Sequence, residues 1–402
     1  MPGPLAGITV LDFTWALAGP YGSMILADLG AEVWKVETTS QSERLRGSGP
    51  YVHGVSTYFF SVNRGKKSIM LDLKAPEAKE IVYRLVKRVD VLTENFSPGA
   101  MDRLGFGYEQ LREVNPTLVY ASTSGFGHTG PYRERGAVDI IVQGMGALMS
   151  TTGHESDELP SRAGYSIGDM AGGMYTTIGV LSALVERSQS GEGQHVDVSM
   201  LDCQVALMEN PVIRHFATGE VQPRAGLRHP LNTPHQAFPA SDSWFVVAGV
   251  RDRNWQLFCG MIGADELAVD ERFSENASRT LNYDQLEPLM FEATRRQPRA
   301  YWLDLLKDEF LVGPLNTIAD TVRDPQVQHR EMLRELPTWT GETLTVSNTP
   351  VKHSRTRGGA ERGASMPGEH SREILTSVGF LEAELDDLVK RGVIAIEPAD
   401  VE

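Results

Sequence analysis

Ile8-Thr9-Val10-Leu11-Asp12-Phe13 is a short β-like run; a helical pattern follows over 21–29, and a second β-like run, Glu32-Val33-Trp34-Lys35-Val36, comes directly after it. Strand, helix, strand in that order is the building unit of a parallel sheet, because parallel neighbours are joined by a crossover and a helix usually supplies it. The alternation continues with helical 76–86, strand-like 89–93 and strand-like 118–122. Short helices are expected over 98–104 and 108–114, the second broken at Asn115-Pro116. A further strand-like run, His195-Val196-Asp197-Val198-Ser199-Met200, precedes a helical 201–216. The class predicted is α/β, with a Rossmann-like large domain built on a parallel sheet flanked by helices.

The chain then changes character. Residues 218–243 are rich in Pro, Gly, Arg and His without a clear period, which reads as a linker or an active-site loop. A large N-terminal part, 1–217, is therefore expected to be followed by a linker, 218–243, and by a smaller α+β domain from 244 onward. That domain has a strand over 244–250 and helical segments over 255–262, 283–295 and 300–309. A basic, Gly-rich loop over 355–368 precedes capped helices at 369–378 and 382–391.

With 402 residues, 41% of them apolar, the chain is long enough for two domains with sizeable cores. A net charge of -15 argues against a nucleic-acid partner, since phosphate binding needs a basic face. Cys203 and Cys259 lie far apart in apolar segments, as buried reduced thiols do, so neither a disulfide nor a zinc site follows. No stretch approaches the roughly 18 apolar residues of a membrane span, and the first residues lack the pattern of a signal peptide. No membrane partner is expected, and cytoplasmic localisation is the expectation.

Several motifs fail on their context. Gly125-Phe-Gly127-His-Thr-Gly130 matches a dinucleotide fingerprint after a predicted strand, but a polar turn, Pro131-Tyr-Arg-Glu-Arg135, stands where the helix should open. Gly164-Tyr-Ser166-Ile-Gly168 matches a nucleophile elbow, which would make Ser166 a hydrolase nucleophile. Its leading segment, Glu158-Leu-Pro-Ser-Arg-Ala163, carries a proline and charges where a buried strand is required. Asn63-Arg-Gly-Lys-Lys-Ser68 lacks the order of a Walker A loop, and no histidine pair has metal-ligand spacing.

Two features survive. Arg64, Lys66, Lys67, Lys74, Arg84, Lys87, Arg88 and Arg103 gather in the first domain of an acidic chain. Solvated helix faces account for most of them, but Lys74 and Arg103 stand beside turns. With Asn95 and Phe96 they suit an adenine and phosphate ligand at the carboxyl edge of the sheet. The second is Ile167-Gly168-Asp169-Met170-Ala171-Gly172-Gly173, an acid at the mouth of a helix whose continuation, 176–187, is apolar on nearly every face. Asp169 there is either an N-cap or an ionised nucleophile, with Gly172 and Gly173 giving room for a bulky group to approach.

Blocks spread along the whole chain resemble the class III CoA-transferases, the family of formyl-CoA transferase and carnitine CoA-transferase, with α-methylacyl-CoA racemase as a relative. They include Leu5-Ala-Gly-Ile-Thr-Val-Leu-Asp-Phe13, Ala18-Gly-Pro20, Leu29-Gly-Ala-Glu-Val-Trp-Lys-Val-Glu37, Leu71-Asp-Leu-Lys74, Glu94-Asn-Phe-Ser-Pro-Gly99, Gly168-Asp169, Gly191-Glu-Gly-Gln194 and Gly368-Glu-His370. The resemblance implies that Asp169 is the nucleophile and that Ala18, Leu71, Lys74, Asn95, Phe96, Ala100, Arg103 and Leu104 contact CoA. It further implies CoA as a cosubstrate with no permanently bound cofactor, an acyl-CoA and a carboxylic acid as partners, and an interlocked homodimer. The chain is expected to run from the large domain to a small one at 244–330 and back through a return segment, 331–402.

Two departures from formyl-CoA transferases bear on the substrate. Leu17, with Trp15 two residues before it, replaces a glutamine, and a run of four glycines is missing from 224–236. Trp15, Leu17 and Val138 are therefore expected to line an apolar substrate pocket suited to a larger acyl group than formate or oxalate. Val138 also stands where the racemases carry a histidine base, which argues against an acyl-CoA racemase.

Overall fold

The computed structural model describes residues 3–39, 46–154 and 156–396. The chain divides into two compact units, one of residues 1–148, 162–220 and 326–402, the other of 149–161 and 221–325. Strands in chain order are β1 Thr9–Asp12, β2 Glu32–Glu37, β3 Tyr51–Val52, β4 Val55–Ser56, β5 Lys66–Leu71, β6 Val91–Glu94, β7 Val119–Ser124 and β8 His195–Ser199. They continue with β9 Gln236–Pro239, β10 Trp244–Ala248, β11 Leu311–Pro314, β12 Leu333–Pro337, β13 Thr343–Ser347 and β14 Ile394–Ala395.

The first unit is built on a seven-stranded sheet in the order β14-β5-β2-β1-β6-β7-β8. All neighbours pair in parallel except β14, which runs antiparallel to β5 with Ile394 opposite Leu71. Helices in chain order up to residue 220 are α1 Ala18–Asp28, α2 Thr57–Asn63, α3 Ala78–Val86, α4 Ala100–Leu104, α5 Tyr108–Val114, α6 Asp139–Met145, α7 Leu148–Thr151, α8 Ile167–Ser190, α9 Met200–Leu207 and α10 Glu209–Thr218, all in the first unit except α7, of which only Leu148 is. Alternation along the strands sends successive side chains to opposite faces. Leu11 joins a core with Ile81, Leu85 and Leu111, while its neighbour Val10 joins one with Leu26, Val180 and Ala183. On α3 the buried set Ala78, Ile81, Val82, Leu85 and Val86 has the spacing of one helical face.

Charge disguised one strand. Lys66 of β5 is buried, 3.0 Å from Asp12, and donates to the Pro20 carbonyl and Asn63 Oδ1. Arg64 is likewise buried against Asp28 at 2.7 Å. These two cations are internal struts, contrary to their reading as solvated faces. Burial still pushes the Asp28 carboxyl up despite Arg64, whereas Lys66, Lys35 and two hydroxyl donors overcome burial at Asp12 and bring it down to about 2.

Other departures have local causes. The expected helix 201–216 is two, α9 and α10, because Pro211 lacks an N–H and is accommodated in the first turn of a restarted helix. The helix α8 is not buried all round: Ile178 is 58% exposed, and Met174 and Val185 are exposed too.

The second unit holds a three-stranded antiparallel sheet, β11-β10-β9, packed with helices around Phe238, Phe245, Trp255, Phe258 and Trp302. The stretch expected as a linker contributes β9, a four-residue strand ending in Pro239 that is too short to carry a period. Residues 149–161 also belong to this unit. Together the parallel-dominated sheet and the small antiparallel ones make a mixed α/β fold.

Candidate active site

The strand order places β1 where the chain reverses direction: β2 and β5 lie to one side, and β6, β7 and β8 to the other. The carboxyl ends of β1 and β6 therefore flank a topological switch point, where open α/β sheets hold their ligands. Two loops meet there. Thr14 donates its N–H and hydroxyl to Asp12 at the end of β1, and Ala16 takes a left-handed φ of 60°. Asn95, just after β6, accepts the Trp15 N–H and donates to the Trp15 carbonyl, both at 2.8 Å. The Asn95 amide thus ties the two loops together instead of standing free for a ligand.

The other expected CoA positions sort by exposure. Lys74, on the turn after β5, and Arg103, on α4, are exposed and form no ion pair among the described residues. Arg103 arches back over Gly99, whose φ of 76° begins α4. Phe96, Ala100 and Leu104 are half-buried, with Phe96 and Leu104 packed on the main core. Leu71 is fully buried between β2 and β14, so it has no side-chain surface to offer CoA. Ala18 is buried in the first turn of α1.

Asp169 is the third residue of α8, inside the first turn, and it does not cap the helix. Ser166 occupies the cap position without a side-chain cap bond. The donor at that end is satisfied from elsewhere: Asp139 Oδ1, on the first residue of α6, accepts the Gly168 N–H at 2.8 Å. Gln143 donates to Asp139 Oδ2 at 2.6 Å, and Gln143 Oε1 accepts the Ala163 N–H at 3.0 Å, which fixes the acid in place. The Asp169 carboxylate itself accepts no hydrogen bond from the described residues. Burial first, and the Asp139 charge second, push it up to about 7. The N-terminal end of α8 works the other way and favours the anion.

The glycines after Asp169 serve the fold. A Cβ on Gly173 would sit 2.6 Å from the Ala18 carbonyl oxygen and 2.9 Å from the Gly22 nitrogen, and one on Gly172 would meet Met200 at 3.1 Å. They admit α1 to the flank of α8, so the room expected for a ligand is filled by a helix, and Ala18 is brought beside the Asp169 turn.

Two residues near this acid carried no recognisable motif. Asp139 is one. Tyr58, on α2, is the other: its phenol is pushed up by burial and by the charges of Asp169 and Asp139, so it is a protonated donor within their electrostatic reach. Nothing in local periodicity links α2, α6 and α8, and only their packing brings these groups together.

The expected pocket residues divide. Trp15 and Val138 are exposed, Val138 directly preceding Asp139. Leu17 is only 6% exposed and packs among Val55, Phe59 and Phe60, so it offers little surface to a substrate. Ser166 is preceded by turns and bends where an elbow needs a strand. Gly125 to Gly130 continues into turns, with α6 beginning only at Asp139. Cys203 and Cys259 are free and buried, and burial pushes both thiols up to about 12.

A family model described as CoA-transferase family III matches residues 5–371. The chain is 44% identical over 333 residues to an acetyl-CoA:oxalate CoA-transferase of Acetobacter aceti, covering 82% of this chain and 85% of that one. It is 35% identical to a succinate–glutarate CoA-transferase of Agrobacterium fabrum, covering 94% of this chain and 96% of the other. Among solved structures it resembles a CAIB/BAIF family protein from Brucella suis, with a TM-score of 0.86 and 36% identity over 94% of this chain and 100% of that one.

Proposed function

The chain belongs to CoA-transferase family III, and from that premise we propose that it moves CoA from an acyl-CoA donor to a carboxylic acid, with Asp169 carrying the CoA between them. The Asp169 carboxylate attacks the thioester carbonyl, the C–S bond breaks, and CoA thiolate leaves an aspartyl-acyl anhydride. The thiolate then attacks the aspartyl carbonyl, releasing the donor acid and leaving an aspartyl-CoA thioester. The acceptor carboxylate attacks that thioester to form a second anhydride, and the thiolate attacks its acyl carbonyl to give the new acyl-CoA and regenerate Asp169. One thioester is exchanged for another, so no ATP is consumed.

The observation that carries this reading is the state of Asp169: a half-buried carboxylate with no hydrogen bond to a described residue, held more basic than usual by burial and Asp139. A more basic carboxylate is a better nucleophile, and the helix end keeps enough of it ionised. Tyr58 is suited to donate to the oxyanion of the tetrahedral intermediates. Lys74 and Arg103 are suited to the CoA phosphates and Phe96 to apolar packing against the nucleotide.

The relatives named above act on oxalate, and on succinate and glutarate. Leu17 is drawn into a core and supplies no apolar wall for a bulkier acyl group. Short dicarboxylic acids, oxalate included, belong at the head of the substrate panel. Intact-protein mass spectrometry after mixing with acetyl-, succinyl- and branched acyl-CoAs tests the chemistry. A CoA-sized adduct on Asp169, absent in Asp169→Ala, is expected. Absence of any adduct together with α-proton exchange or plain thioester hydrolysis would overturn it.

The same reading carries a homodimer. Phe216 at 85% exposure, together with Ile178, Val185, Leu207 and Ile213, leaves α8 to α10 with more exposed large apolar side chains than a monomer's surface needs. Light scattering at micromolar concentration, read as one or two chain masses, decides it.

A further inference from the structure

Behind the loop that carries Asn95 and Phe96 lies a buried polar cluster that the transfer chemistry leaves unused. Glu94, the last residue of β6, is 2% exposed. Its Oε2 accepts the Phe96 N–H at 2.8 Å, and the Ser122 hydroxyl on β7 is near enough to favour the ionised carboxylate. Its Oε1 faces His128 Nε2 at 3.7 Å, a nitrogen that is buried without a hydrogen-bond partner among the described residues. Ser122 Oγ also lies 2.9 Å from His195 Nε2. The His195 ring is hemmed in by Tyr108, Tyr120 and His128 at centroid distances of 5.6, 5.4 and 5.4 Å. A cavity of about 150 Å³ separates Glu94 and the two histidines from Ser97, Gly99 and Asp102 of the overlying loop and helix.

We propose that Glu94 is a positioning residue for CoA binding: its ionised carboxylate holds the Phe96 backbone, and Ser122 and His195 behind it form a proton-responsive support for the whole 95–104 segment. The inference rests on reading that segment as a CoA contact. A charged acceptor makes a hydrogen bond roughly twice as strong as a neutral one, so the Phe96 N–H is held best when Glu94 is ionised. Ser122 has a single hydroxyl proton. Given to ionised Glu94, it leaves Ser122 to accept from His195 Nε2–H. When Glu94 takes a proton from solvent, it becomes a donor to Ser122; His195 loses its Nε2 proton to solvent and takes one at Nδ1, so its charge is unchanged and Nε2 now accepts the Ser122 proton.

The groups around Glu94 set where this happens. Burial is the largest influence, Asp102 on α4 and Asp197 on β8 add their charges, and the bonds from Ser122 and the Phe96 N–H oppose them, leaving the carboxyl at about 7. His195 is held below its ordinary range by burial and by His128, so its imidazole is neutral there. Tyr120, buried on β7, stays protonated. Falling pH therefore protonates Glu94, weakens the hold on Phe96 and lowers CoA affinity.

Calorimetric titration of the full-length enzyme with free CoA, from well below to well above pH 7, tests this with wild type, Glu94→Gln and Asp102→Asn. The CoA phosphates and Asp169 titrate in every variant, so the difference between profiles is the readout. Wild type should lose about three- to tenfold in affinity on the acid side beyond what Glu94→Gln loses, the scale of one hydrogen bond. Glu94→Gln should bind weakly with a flatter profile, and raise KM for acyl-CoA by a larger factor than it lowers kcat. Asp102→Asn removes a negative neighbour from an exposed position, leaves the Phe96 bond untouched and should move the midpoint to lower pH. It carries the test alone if Glu94→Gln shows no cooperative melting transition. Identical profiles for wild type and Glu94→Gln, or an unmoved midpoint in Asp102→Asn, would overturn the positioning role. Failure of wild type to bind CoA at any pH would instead overturn the CoA-site reading beneath it.

Discussion

Asp139 Oδ1 accepts the N–H of Gly168 at 2.8 Å, so the helix that presents Asp169 is capped by a side chain from a different helix. One carboxylate thereby does two things to another: it fixes the turn that carries it and raises its proton affinity.

The two roles separate by substitution. Asp139→Asn keeps an oxygen for Gly168 but removes the charge, so the acid limb of kcat/KM, set by ionisation of Asp169 at about 7, should move to lower pH. Asp139→Ala loses the bond as well and should cost a further ~0.5–2 kcal/mol of stability. Rate profiles and chemical denaturation of both variants check this, and an unmoved acid limb in Asp139→Asn would count against the coupling.

Asp169 also makes stability depend on pH in a defined direction. Its carboxyl is raised from 3.8 to about 7 in the fold, so its contribution is fully present below about 3.8 and is lost as pH rises through about 7. Asp169→Asn removes that loss. Its Tm should exceed wild type above pH 7, and the gap should close toward pH 4. Differential scanning at three pH values reads the gap directly.

Gly173→Ala should weaken the fold without touching any titratable group. Its Cβ would press on the Ala18 carbonyl oxygen at 2.6 Å, which is backbone and cannot swing aside. A cost of about 1–3 kcal/mol is expected, with transfer activity reduced because α1 and the Trp15 loop are displaced from α8. Urea melts at equal m-value, alongside steady-state rates, test it.

The cations should divide into two behaviours. Lys74→Ala and Arg103→Ala, both exposed and unpaired among the described residues, should each raise KM for acyl-CoA about tenfold or more, the worth of a charged hydrogen bond, with Tm nearly unchanged. Arg64→Ala strands Asp28 inside the fold and should cost about 3–5 kcal/mol. A Tm loss for Lys74→Ala as large as that for Arg64→Ala would contradict the division.

Legibility followed the range of the interaction. The amphipathic spacing of α3 and the apolar runs of β1 and β2 are local, and their reading agrees with the elements found. The strand β5 was obscured because Lys66 and Lys67 look like surface residues until Asp12 and Glu32 are folded against them. The strand β9 was obscured by length and by Pro239. At the site, the Gly168-Asp169 pair was visible as an acid at a helix mouth, while Asp139 and Tyr58 lie on other helices with no motif to mark them.

The order of β-like and helical runs, the acidic balance and the blocks shared with CoA-transferases are legible along the chain, since each depends on residue type and spacing. Folding is what lets Gly172 and Gly173 admit a helix, bonds Asn95 to Trp15 and makes Asp139 cap the Asp169 helix. Folding also buries Glu94 against Ser122 and His128. These are contacts between segments far apart in sequence, and a buried charge takes its proton affinity from whatever folding places beside it.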